Sequence, residues 1–291
     1  MSLVTIKEIL QDAREKHYAV PAFDVADYRM ARGVLDVAEE LCAPVILMGL
    51  PGDLTEEQFG HLSADFHSLA LESRVPVCIH LDHATEFRLI QMAIAQGYSS
   101  VMFDGSSLPF EENVRKTREI VDYAHAFGVS VEAELGHVGD GIVGSSSESA
   151  RGNGGHASIM TEPKELQRFV ELTQVDCLAV SFGTSHGVYK CTPHLDLELL
   201  SELNAVSQVP LVVHGGSGTP EDQMKEAIAR GICKVNVFSE LVNAFWSGMR
   251  EFLNEQENLS LWTKTVYEKP IEEMKKTVRK KFLEFGTEGK A

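Results

Sequence analysis

The chain lacks paired cysteines, long apolar runs and positive charge. Its five cysteines, Cys42, Cys78, Cys177, Cys191 and Cys233, are scattered and odd in number. Their spacing suits neither a disulfide framework nor a thiolate metal site. Reduced, mostly buried thiols in a cytoplasmic protein are the expectation. No stretch approaches the roughly 20 apolar residues of a membrane span. The first eight residues, MSLVTIKE, hold no apolar segment before a cleavage site and do not read as a signal peptide. Lys and Arg number 26 against 43 Asp and Glu, a net charge of −17. That balance argues against a nucleic-acid surface and against adhesion to anionic membranes. It leaves anionic small molecules open, because backbone N–H groups hold phosphate without a side-chain charge.

What is present is a repeat of short apolar strands and amphipathic helices. With 291 residues the chain can bury one large core or two smaller ones. Strands are expected at 18–23, 44–48, 76–81, 100–103, 129–134, 176–181, 209–213 and 234–237. Helices are expected between and after them, with Gly97, Gly128 and Gly231 as stops. Eight strand–helix units of this kind read as an α/β fold, a (β/α)8 TIM barrel with additional terminal helices. A doubly wound sheet is the alternative. The whole of 1–291 is taken as one barrel domain. Residues 136–157 form a Gly/Ser-rich stretch with neither helical nor strand period, read as a mobile active-site loop. Residues 270–291 read as a basic C-terminal helix and tail, either solvated or packed on a neighbouring subunit.

Chemistry gathers just past the strands. The third strand ends in His80, Asp82 and His83, and strict alternation would send Asp82 and His83 to different sides. Glu132 and Glu134 share one face of the fifth strand. Asp104, His186 and His214 follow the fourth, sixth and seventh. A buried strand has no use for such groups unless something binds there. His83, His186 and His214 form the best metal set, since three imidazoles and an open position suit catalytic zinc. Asp82 is placed to exchange a proton with a substrate oxygen. Glu134 and Asp104 would take a second metal position or orient the imidazoles. The turn from His214 through Gly215, Gly216, Ser217 and Gly218, and the run from Asn236 to Ser239, both precede helices. Such turns after strands seven and eight suit a phosphate. Metal, acid and phosphate cradle together suit aldol cleavage, with a metal phosphatase or a sugar-phosphate epimerase as alternatives using similar parts. Of the other histidines, His80 reads as support for the metal site, and His137 and the rest as ordinary helix or loop residues.

The motifs HLDH at 80–83, DGS at 104–106, VEAELG at 131–136, GTSHGVY at 183–189, HGGSG at 214–218 and KVN at 234–236 resemble those of the class II, zinc-dependent ketose-bisphosphate aldolases. The likeness covers nearly the whole chain, and together these motifs are highly specific. The resemblance implies zinc on His83, His186 and His214. It implies Asp82 as proton donor or acceptor at the C4 oxygen, and Glu134 and Asp104 near the metal's alternative position. Gly187, Gly215, Ser217, Asn236 and Ser239 would contact the dihydroxyacetone phosphate half. A monovalent cation, Na+ or K+, near that phosphate and a homodimer or homotetramer are also implied. A catalytically silent, aldolase-like subunit is the non-enzyme alternative, and three complete His ligands with Asp82 argue against it.

The chain departs from the family pattern at three places. Asp24 stands where an Asn is usual, and Leu50 where a Ser is usual. Both belong to the end of the site that receives the aldehyde half. A carboxylate would repel a second phosphate, and leucine removes a hydroxyl partner. A ketose 1-phosphate is therefore the expected substrate, with a fructose or tagatose 1,6-bisphosphate as the alternative. The third departure is the loop run from Gly139 to Val143, GDGIV, which lacks the family's usual glutamate. Glu148 or Asp140 is the candidate replacement.

Overall fold

In the computed structural model, residues 2–53, 55–140, 159–187 and 193–291 are described. Eight parallel strands close a barrel. They are β1 (Val20–Asp24), β2 (Val45–Gly49), β3 (Val77–Ala84), β4 (Ser100–Phe103), β5 (Ser130–Leu135), β7 (Cys177–Val180), β9 (Leu211–Val213) and β10 (Ile232–Val237). Their order around the barrel is β1-β10-β9-β7-β5-β4-β3-β2. The expected eight strands are therefore all present, shifted by a residue or two at most ends. Two further short strands, β6 (Gly139–Asp140) and β8 (Ser185–His186), pair in parallel outside the barrel.

Local signals explain the helices. Thr5 and Glu8 close a capping box on α1 (Ile6–Lys16), and Thr55 and Gln58 close another on α3 (Glu56–Glu72). The side chain of Asp27 caps α2 (Tyr28–Glu40) by accepting from Met30 N–H at 2.9 Å. Gly97, Gly128 and Gly231 take φ of +86°, +73° and +116° just after α4 (Phe87–Ala95), α5 (Phe110–Ala126) and α8 (Glu221–Ala229). Pro163 opens α6 (Pro163–Thr173), and α7 (Leu197–Val206) is capped by Asp196.

Alternation along the strands divides the core in two. Outward side chains, such as Val77, Ile79 and Leu81 of β3, pack under the helices in one large cluster. Inward side chains, such as Val20, Ile46, Cys78, Cys177 and Val212, fill the barrel with Ile6, Ile9 and Leu10 of α1. Helix α1 therefore plugs the N-terminal end of the barrel. Toward the other end the inward positions turn polar. Cys78 is followed by His80 and Asp82, Val212 by His214, and Ala22 by Asp24. Buried polar side chains concentrate there, and the site follows from that change.

The tail differs from expectation. Its helix α10 runs Thr263–Glu284, with Pro270 buried inside it, and not from Pro270 onward. It lies on its own α9 (Ser239–Asn254) and α2. Gly248 on α9 and Gly33 on α2 admit it. A Cβ at Gly248 would meet Pro270 Cα at 3.0 Å, and one at Gly33 would meet Met274 at 2.8 Å. Four of its basic residues after Pro270 are paired within the chain: Lys275 with Asp36, Lys276 with Glu273, Arg279 with Glu40, and Lys281 with Glu240 and Glu284. Beyond the helix, Thr287 donates to Ala19 O at 2.7 Å, and Ala291 N–H to Cys42 O at 2.9 Å.

Candidate active site

A cavity of about 250 Å³ opens at the C-terminal end of the barrel. Asp24, Leu50, Asp82, His83, Asp104, Glu134, His186, Gly187, Gly215, Ser217, Asn236 and Ser239 all line it. So do His137, Val138 and Phe238, which the sequence reading did not place there. His137 comes three residues after Glu134, a position that signals the site only once the strand end is known. Glu148 lies outside the described residues, as do 141–158 of the Gly/Ser-rich loop. Asp140 pairs with His186 across β6 and β8.

Asp82 and His83 both reach the cavity, contrary to simple alternation. The β3–β4 register shifts between Leu81 and Ala84, and His83 takes φ +45°. This irregularity turns His83 back toward the side that Asp82 already faces. The two side chains come within 3.8 Å. A non-glycine residue in the left-handed region is strained, and such strain clusters at functional sites.

The three imidazoles converge. Ring centroids of His83 and His214 are 4.6 Å apart, those of His83 and His186 4.9 Å, and those of His186 and His214 5.8 Å. Their potential ligand atoms lie within 4.8 Å of one another, and so do those of His83, Asp104 and Glu134. Each flanking imidazole is held by carboxylates. His83 Nδ1 meets Asp104 at 3.0 Å. His214 Nδ1 meets Glu134 at 3.0 Å and its Nε2 meets Glu132 at 2.9 Å. His186 Nε2 is buried with no hydrogen-bond partner among the described residues. A buried nitrogen left unpaired beside two carboxylate-held imidazoles fits a cation that it would ligate.

Charges divide the site sharply. Burial disfavours a charged His83, yet Asp82 and the hydrogen bond to Asp104 outweigh it and push its pKa up to about 9. Burial and the charges of His83 and His214 push His186 down to about 3. Burial would raise Asp82, but His83, Lys234 and His214 hold it below the usual carboxylate range. Asp24 goes the other way, because burial and then the Asp82 charge push it well above that range. Neighbouring carboxyls with opposite preferences mark acid–base chemistry.

The glycine turn after β9 is stereochemically required. Gly215 has φ +71°, and a Cβ there would collide with Ser185 O. A Cβ at Gly216 would lie 2.7 Å from Asn236 O. The backbone of this turn therefore sits against β10, where Gly216 N–H donates to Asn236 O at 3.2 Å. Ser217 Oγ accepts from Glu240 N–H at 3.2 Å, at the first turn of α9.

The profile of the family described as fructose-bisphosphate aldolase class-II matches residues 4–290. The chain belongs to that family. The crystal structure of the YdjI aldolase from Escherichia coli K12 is similar, at 34% identity over 99% of each chain and a TM-score of 0.87. A fructose-bisphosphate aldolase from Campylobacter jejuni shares the fold, at 23% identity over 100% of this chain and 97% of that one, with a TM-score of 0.81. The protein is an enzyme of the aldolase type, and its general chemistry is aldol cleavage. Family members are generally zinc-dependent and act on phosphorylated sugars. No described helix is long and apolar enough to cross a membrane.

Proposed function

We propose that the enzyme reversibly cleaves a ketose 1-phosphate to dihydroxyacetone phosphate and an aldehyde that carries no phosphate. The observation that carries this reading is the cavity's lining. Among the described lining residues none is Lys or Arg, while Asp24 and Leu50 stand together with Asp82. A second phosphate would meet the ionised Asp82 there and find no cation among the described lining residues.

His83, His186 and His214 would hold zinc, with Glu134 and Asp104 around it. When bound, zinc supplies Lewis-acid polarisation of the substrate ketone. Asp82, ionised and buried, takes the proton of the C4 hydroxyl as the C3–C4 bond breaks and the C4 aldehyde forms. The bonding pair stays on the dihydroxyacetone phosphate half, which is later protonated at C3. Asn236 donates to Asp82 at 3.1 Å and keeps that carboxylate aimed into the cavity. Gly187, Gly215, Ser217, Asn236 and Ser239 would receive the phosphate, with Na+ or K+ beside it. Glu148 stays the candidate for the C3 proton. A homodimer or homotetramer belongs to the same proposal.

The test is a matched pair: one ketose with and without its second phosphate, with product identity followed. Dihydroxyacetone phosphate release is expected to be faster from the singly phosphorylated sugar. Asp24→Asn, which replaces a carboxyl held protonated beside Asp82 by a neutral amide donor, is expected to raise relative kcat/KM for the bisphosphate by roughly fivefold, the scale of one neutral hydrogen bond. Preference of the parent enzyme for the bisphosphate would reject the substrate assignment and point to Arg151 or Lys190, which lie outside the described residues. A rearranged sugar without release would favour epimerisation.

A further inference from the structure

Beneath the cavity lies a charged residue that the mechanism above does not use. Lys234 of β10 is fully buried inside the barrel. Its ammonium donates to Asn236 Oδ1 at 2.7 Å and pairs with Glu132 at 2.9 Å. We propose that Lys234 is a positioning residue that orients Asn236 toward Asp82 and, through Glu132, holds the ring of His214. This rests on the reading of Asp82 and His214 given above.

The first half follows from donor chemistry. An ammonium has three donors and no acceptor, so the Asn236 atom that faces it must be oxygen. The amide nitrogen is thereby turned away, and it donates to Asp82 Oδ1 at 3.1 Å. Without Lys234 the amide is free to present either end to Asp82. An inverted amide would set oxygen against carboxylate.

The second half runs through Glu132. One of its oxygens pairs with Lys234, and the other meets His214 Nε2 at 2.9 Å. A carboxylate beside a buried ammonium stays ionised and accepts only. Nε2 of His214 must therefore carry a proton. Its Nδ1 meets a second carboxylate, Glu134, at 3.0 Å, so the ring is gripped at both nitrogens. Lys234 thus fixes, through one intermediate on each side, the proton carrier and a metal-facing imidazole. Glu132 also stands 3.6 Å from His80 Nε2, and His80 Nδ1 meets Ser100 at 2.8 Å, so the network is enclosed by fully buried partners.

The test uses the full chain. Lys234→Met combined with Glu132→Gln removes both charges, so neither is left buried alone. For this double variant, kcat for dihydroxyacetone phosphate release is expected to fall about 10- to 100-fold with KM nearly unchanged. Zinc affinity, read by competition with a chromogenic chelator, is expected to weaken by about the same factor. A folded double variant with parental kcat and parental zinc affinity overturns the proposal. Where the variant does not fold, NMR of 15N-histidine-labelled parent protein loaded with zinc decides. The proposal requires a proton on His214 Nε2, held by Glu132, and an Nε2 without a proton overturns it. If the parent releases no dihydroxyacetone phosphate from any sugar, the functional reading fails, while zinc affinity and the NMR signature still judge Lys234.

Discussion

Asp24 and Asp82 stand at one end of the barrel interior with opposite protonation preferences. Asp82 is the one that remains ionised, and Asn236 holds it. Asp82→Asn keeps the shape and the Asn236 contact region but removes the proton acceptor. Its kcat for sugar cleavage is expected to drop about 10³-fold with KM little changed, as steady-state kinetics of dihydroxyacetone phosphate release would show. A fall confined to KM would instead make Asp82 a binding group. At this scale the candidate residues were legible because polar groups stood where apolar strands ended. What was not legible was their aim. The left-handed His83 carries no glycine to announce the irregularity, and only pairing with β4 shows it. Lys234 and Asn236 stand two apart on one face of β10, legible as the KVN motif, but the partner Glu132 comes from β5, which only barrel closure brings near.

Among the elements, α10 is the one whose basic residues invited a search for an outside partner. Three of them, Lys275, Arg279 and Lys281, are met by α2 and α9 of the same chain. Burial would raise the Asp36 carboxyl, but hydrogen bonds from Lys275 and Arg32 outweigh it and hold it below its ordinary value. The sign follows. A lowered carboxyl pKa stabilises the folded chain above the unfolded value of about 4, and the gain is lost as pH falls through the folded value. Asp36 is 39% exposed, so solvent screening limits the effect to about 0.5 kcal/mol. Asp36→Asn is expected to lower the urea midpoint slightly at pH 7 and to match the parent at about pH 2.5. Equal midpoints at both pH values would contradict the pairing. Helix limits were legible where a stop glycine lay, as at Gly97. They failed at Pro270, because proline suits a first turn, and only packing against Gly248 keeps it mid-helix. The β6–β8 pair was not legible, since two residues have no period.

On the scale of the whole molecule, the barrel is apolar at the end closed by α1 and polar at the end that holds the cavity. The eightfold repeat was readable from sequence because each unit carries its own apolar run and its own stop. The convergence of His83, His186 and His214 needed closure of the sheet, which brings strands far apart in sequence around one axis. That convergence is the ground for the account's central claim, a metal-dependent aldolase working at this end of the barrel. The most direct measurement strips the protein with a chelator and titrates zinc back, following bound zinc and dihydroxyacetone phosphate release on one sample. The account predicts no release before zinc, and a linear rise that breaks at about one zinc per chain, the stoichiometry of a three-imidazole catalytic site. Full release from the stripped protein, or a rise unrelated to bound zinc, would contradict it.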